Sequence, residues 1–226
     1  MQPTSFVIAV FEFVLLIFSL SVHECAHAWT ASRLGDQTAR LQGRVTLNPM
    51  YHVDLIGTLL FPALMIFGPL FSGGAMGGYL IGWAKPTPVI TRNFTKIVRD
   101  DTLVTLAGPV SNLLIAFVAF LGLAGMILFQ GHLPQSDSMQ TNLDALWTLC
   151  DLAIRVNLAL FFFNLLPIPP LDGSRILRHH LPYSFLHIYD SMGMFGYMLM
   201  LFVGGPIVRV LMGPTLDLVD LALQHI

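Results

Sequence analysis

His23-Glu24-Cys25-Ala26-His27 is an H-E-x-x-H motif at the end of an apolar run. The two histidines stand four apart, so on a helix both imidazoles leave one face a turn apart. Rings placed this way can take adjacent corners of a tetrahedral zinc ion, with Glu24 beside them as a general base for water. Two imidazoles do not complete such a site. A hydrolytic zinc takes a third protein ligand and keeps a fourth position for water. A suitable carboxylate stands far along the chain, in Asn164-Leu165-Leu166-Pro167-Ile168-Pro169-Pro170-Leu171-Asp172-Gly173. Its prolines stop a helix near Leu166 and hold the chain extended. Asp172-Gly173 is then a turn and helix restart, which leaves Asp172 two readings: an N-cap, or a third zinc ligand at the depth of the histidines.

The elements that must position these groups are apolar helices. Residues Phe6 to Leu20 contain one charge, Glu12. The whole chain of 226 residues is 55% hydrophobic and 11% charged, against roughly 25% charged in a soluble domain. An all-α polytopic integral membrane protein follows. A net charge of −2 argues against a nucleic-acid partner. Apolar runs at about 5–31, 52–70, 102–130, 146–167 and 188–212 predict about five to six transmembrane helices. Residues 71–91, dense in Gly and Pro, predict a re-entrant hairpin or extended strand lining a cavity, with a surface loop as the alternative for the first half. Gly204-Gly205-Pro206 is expected to break the last run, so that 188–226 hold one membrane helix or two. No basic stretch precedes Phe6 and no small-residue cleavage site follows Leu20, so the first helix is expected to be retained. Cys25 lies between the motif histidines and Cys150 in another apolar run, poor places for a disulfide.

Basic residues orient the bundle. Arg33, Arg40 and Arg44 follow the first run; Lys85, Arg92, Lys96 and Arg99 precede the third; Arg175 and Arg178 follow the fourth. The 131–145 connection has none, only Asp137 and Asp144. The positive-inside rule places the three basic groups in the cytoplasm and the 131–145 loop outside. His23, His27 and Asp172 then sit toward the cytoplasmic side of the bilayer.

The two motifs in this order, His23-Glu24-x-x-His27 and Asn164-x-x-Pro167-x-Pro169-x-x-Asp172-Gly173, resemble the site-2 protease family of intramembrane zinc metalloproteases. Further stretches resemble its compact prokaryotic branch, which lacks a PDZ domain: Arg33-Leu34-Gly35-Asp36, Gly43-Arg44-Val45-Thr46-Leu47-Asn48-Pro49, Gly82-Trp83-Ala84-Lys85-Pro86 and Ala107-Gly108-Pro109-Val110-Ser111-Asn112. The resemblance covers about residues 15 to 180. It implies His23, His27 and Asp172 as ligands of one Zn2+ per chain, Glu24 as catalytic base, and Asn164 as a polar group near the scissile carbonyl. It also implies a single membrane-embedded metalloprotease domain over 1–226, with its catalytic core at about 5–180 and C-terminal membrane helix or helices at 188–226. The implied substrates are single-span membrane proteins or signal-peptide-like segments, cut in a prokaryotic cell membrane. Nothing in the residues selects one substrate or sets an oligomeric state. The 131–145 loop is too short for an inserted PDZ-type domain.

A helical substrate hides its carbonyls, so cleavage needs an extended chain, and a strand around Gly77 to Lys85 is expected to clamp it by β-addition. The rival class is a non-proteolytic membrane zinc-binding or metal-transport protein. A transporter should carry polar groups on both sides of the site, yet beyond Glu12 the external half is almost wholly apolar, and Glu24 has no purpose in mere binding. Glu12 reads as a residue near the external helix end before it reads as a functional charge. Asp54 reads as a helix-terminal acid, with His52 and Asp54 as alternatives for gating or for hydrogen-bonding a ligand histidine. Asn112 reads as a bond across helices or a substrate contact. His179, His180 and His187 read as interfacial histidines before a second metal site, and the methionines of 192–212 as flexible packing.

Overall fold

The computed structural model describes residues 3–72, 83–129 and 136–226. Among them every regular element is helical. Helix α1 (Pro3–Arg33) is followed by a single turn, α2 (Thr38–Leu41). Helix α3 (Phe61–Ser72) continues from a π-helical start at Leu55–Leu60. Two long helices, α4 (Ile97–Phe129) and α5 (Asp137–Asn164), precede the short α6 (Asp172–Arg178) and α7 (Tyr183–Asp190). Helix α8 (Gly193–Leu199) runs through a π turn at Met200–Gly204 into α9 (Gly205–Gln224).

Four stretches are long and apolar enough to cross a membrane: Phe6–Arg33, Ile97–Phe129, Asp137–Asn164 and Phe195–Gln224. The second apolar run gives only the shorter Leu55–Phe71, so the described residues hold four such helices where five to six were expected. Asp54 opens that shorter helix, accepting from the N–H groups of Ile56 (3.1 Å) and Gly57 (2.7 Å). Asp54 thus stands at a helix N-terminus, where the helix-terminal reading put it, and it caps that helix as well. At Gly204-Gly205-Pro206 the helix does not break. The π turn carries the chain through and Gly204 keeps helical angles (φ −57°, ψ −50°), so Pro206, which cannot donate to the preceding turn, is accommodated where the helix is locally widened. The expected 131–145 connection is also shorter than the hydropathy implied. Ser136 accepts from the Met139 N–H and starts α5 at Asp137, so a polar first segment extends the helix beyond its apolar part. Residues 73–82, about half of the expected re-entrant segment and most of the Gly77–Lys85 clamp, lie outside the described residues. Residues 83–90 are irregular.

Around α1 the burial pattern is that of a helix packed on one side and lipid-facing on the other. Leu16, Leu20, His23, His27 and Ala31 form a buried stripe with spacings of three and four, whereas Phe6, Phe11, Val14, Phe18 and Trp29 are exposed. The motif histidines therefore point into the bundle. Helices α4 and α5 pack against that stripe and against each other.

On the side of α1's C-terminus, Asp36 is fully buried and gathers the loops. It accepts from the Thr38 hydroxyl and N–H, the Ile90 N–H (2.7 Å) and the Asn93 amide (2.8 Å). Burial pushes its carboxyl up, but these donors outweigh burial and hold it below the ordinary value. Its stabilising contribution is fully present above the unfolded carboxylate pKa of about 3.9 and is lost as pH falls through the lowered folded value. Asp36→Asn is expected to cost about 1–3 kcal/mol at pH 7. It should also narrow the gap between melting temperatures at neutral and acid pH, checked by thermal unfolding in detergent.

Candidate metal centre

The buried stripe of α1 brings His23 Nε2 and His27 Nε2 to 3.0 Å from each other. Asp172, 149 residues beyond His23, places Oδ2 3.1 Å from the first and 3.2 Å from the second. Asp172 occupies the first turn of α6, where Leu171 is the N-cap residue and no side chain makes a capping bond. The carboxylate is thus directed at the imidazoles, not spent on its own helix. Gly173 makes this possible: a Cβ there would run into the main-chain carbonyls of Leu165 and Leu166. Only a glycine lets α6 start against the end of α5.

Each imidazole is held from behind. His27 Nδ1–H donates to the Val104 carbonyl (2.7 Å), an oxygen that can only accept, which leaves Nε2 of the neutral ring with a lone pair. His23 Nδ1 lies 2.7 Å from Asn112 Oδ1, and a relay of amides orients that contact. Asn157 Nδ2 donates to the Ala153 carbonyl (2.9 Å), so its Oδ1 accepts from Asn112 Nδ2 (3.0 Å), and Asn112 Oδ1 is left to accept from His23. Asn112 and Asn157 are fully buried. Three lone-pair atoms thus converge at edges of 3.0–3.2 Å, close to the edge of about 3.3 Å that a tetrahedral zinc with ligands at 2.0–2.1 Å requires. These three residues are the only such cluster among those described, so His179, His180 and His187 do not assemble a second one.

Helix α6 is fixed to α4 by Asp101, buried and paired with Arg175 and with His179 (2.7 Å). The Tyr189 hydroxyl donates to the Pro167 carbonyl (3.0 Å) and ties α7 to the proline run. A cavity of about 190 Å³ opens on the cluster, walled in part by Leu20, Glu24, Trp83, Thr87, Asn164 and Tyr197. Asn164 donates one amide hydrogen to the Leu160 carbonyl (3.0 Å). His52 is buried and lies 2.8 Å from the Thr46 carbonyl; it does not support a motif histidine. The residue that does is Asn112, together with Asn157, a lone polar residue inside an apolar run that the sequence reading passed over. Asn112→Leu is expected to lower zinc affinity about 10- to 100-fold, the usual cost of losing a partner behind a ligand, measured by competition with a chelator.

The model of peptidase family M50 matches residues 11–204. The chain belongs to peptidase family M50. The site-2 protease resemblance seen in the motifs agrees with this membership. Among curated relatives whose names describe zinc metalloproteases, YwhC of Bacillus subtilis is 41% identical over 169 residues, covering 75% of this chain and 68% of that protein. Rip2 of Mycolicibacterium smegmatis is 32% identical over 182 residues, 80% of this chain and 61% of that protein. MJ0611 of Methanocaldococcus jannaschii is 28% identical over 196 residues, 86% of each. The chain thus spans less than two thirds of the length of Rip2. No solved structure matches this M50 chain.

Proposed function

We propose that the chain is an intramembrane zinc metalloendopeptidase of the site-2 type, cutting peptide bonds of membrane-spanning or membrane-anchored substrates with one zinc ion per chain. The observation that carries this reading is the triangle of His23 Nε2, His27 Nε2 and Asp172 Oδ2, with Glu24 on the same cavity wall, among helices apolar enough to cross a bilayer. His23, His27 and Asp172 hold the metal. Zinc bound there would supply a Lewis acid that polarises a carbonyl and lowers the pKa of water toward neutrality. Glu24 takes the proton of the attacking water and returns it to the leaving amine. Asn164 has spent one amide hydrogen on Leu160, and its second is available to the oxygen on which charge develops. The cavity faces the cytoplasmic side, where the basic residues gather, and water enters from there.

The test is proteolysis by purified protein in liposomes. Tagged single-span proteins and signal-peptide-like segments serve as substrates, with zinc quantified by mass spectrometry. The expected result is about one zinc per chain and fragments whose new ends fall within or beside the apolar segment. Full zinc with no cleavage of any substrate would sink the protease reading, and absence of zinc would sink the metal site.

A further inference from the structure

The irregular segment before α4 is pinned at several points. Trp83 N–H donates to the Gly57 carbonyl (3.1 Å), and the Thr58 hydroxyl donates to the Trp83 carbonyl (2.8 Å). Lys85 N–H donates to the His52 carbonyl (2.8 Å), and Ile90 N–H to buried Asp36 (2.7 Å). Between these pins lies Thr87, flanked by Pro86 and Pro88. A residue before proline is confined to extended angles, so the direction of the Thr87 N–H is set by the chain itself. That N–H lies 2.9 Å from Glu24 Oε2, and the Thr87 hydroxyl lies 2.7 Å from the same oxygen. The hydroxyl is also 3.1 Å from the Glu24 main-chain carbonyl. Among the described residues no hydrogen bond reaches Glu24 Oε1.

We propose that Thr87 is a positioning residue for Glu24: two donors on a pinned strap hold Oε2, so that Oε1 is the oxygen presented to the cavity beside His23 and His27. This rests on Glu24 being the base of the proposed protease. Donors fixed before the reaction need no reorganisation during it. A carboxylate on a flexible side chain would otherwise sample rotamers that miss the attacking water. The motifs around Asp36 and Trp83-Ala84-Lys85, which do not touch the metal cluster, thereby gain a purpose: they carry the strap.

The chain contains two glutamates, Glu12 and Glu24, so labelling glutamate with 13C at the side-chain carboxyl marks two groups in the full protein. Isotope-edited infrared spectra then report on Glu24 directly, its band being the one that vanishes in Glu24→Gln, with Glu12 as internal control. In zinc-loaded protein in liposomes, Thr87→Val should move the Glu24 band while leaving the Glu12 band and zinc content unchanged. It should lower kcat about 10- to 100-fold, the range of one hydrogen bond to a charged group, with KM little changed. Thr87→Ser, which keeps the hydroxyl, should restore both band and kcat. A Glu24 band unmoved by Thr87→Val overturns the proposal whatever the cleavage rates. A moved band with undiminished kcat overturns the role in turnover. Wild-type protein that holds zinc and cleaves nothing removes the protease reading instead, and the band still decides whether Thr87 holds Glu24.

Discussion

Glu24→Gln is expected to abolish peptide-bond cleavage while leaving zinc in place. The side chain is not one of the three whose donor atoms converge, so its loss of charge leaves the ligand triangle intact. Glutamine has nearly the same shape and can still accept from Thr87, turning its amide group toward the cavity. What disappears is the ability to take a proton from water, a contribution of about 10²- to 10⁴-fold in rate. Initial rates on a single-span substrate, beside zinc per chain, read both halves of the expectation. Loss of zinc in the variant would make Glu24 part of the metal's support and refute its assignment as the base.

Gly108→Ala is expected to empty the metal site, although the residue has no side chain with which to bind a metal or make a hydrogen bond. A Cβ at this position would stand 2.5 Å from His27 Cε1 and 2.6 Å from His23 Cε1. Neither ring can retreat, since Val104 holds one and Asn112 the other. Either α4 leaves α1 or an imidazole swings off the triangle. A loss of zinc affinity of about 100-fold or more follows, at the upper end of what disturbing a ligand's support costs, and cleavage falls with it. Chelator competition measures the affinity, and circular dichroism checks that helical content is retained. Gly125→Ala on the same helix is the control, because a Cβ there meets nothing within 4 Å. A Gly108→Ala protein with wild-type zinc affinity would overturn the geometry.

The sequence made the chemistry legible where residue type and spacing coincide. Two histidines a turn apart announce a shared target from local geometry alone, and a proline run ending in Asp-Gly fixes where a carboxylate restarts a helix. Asn157 was not legible. A single asparagine in an apolar helix has no spacing to read, and its relay to His23 through Asn112 exists only once three helices are packed. Thr87 was hidden for a related reason, since its contacts with Glu24 span 63 residues. Hydropathy located the long spans but misjudged their ends. It tracks where lipid lies, whereas hydrogen bonding decides where a helix starts, as Ser136 does for α5. Gly204-Gly205-Pro206 has the composition of a break, yet a wider helical turn before the proline carries the helix past the bond that Pro206 cannot make.

The ligand triangle joins α1 to the start of α6, so its third corner is among the later parts of the chain to leave the ribosome. His23 and His27 come early in the chain and wait for the amides and the carbonyl that arrive with α4 and α5. Metal can be captured with full coordination only after synthesis has passed Asp172 and the intervening helices have been inserted in the right order. If the metal is held as proposed, a truncated or misinserted nascent chain would lack the third corner and so a complete site.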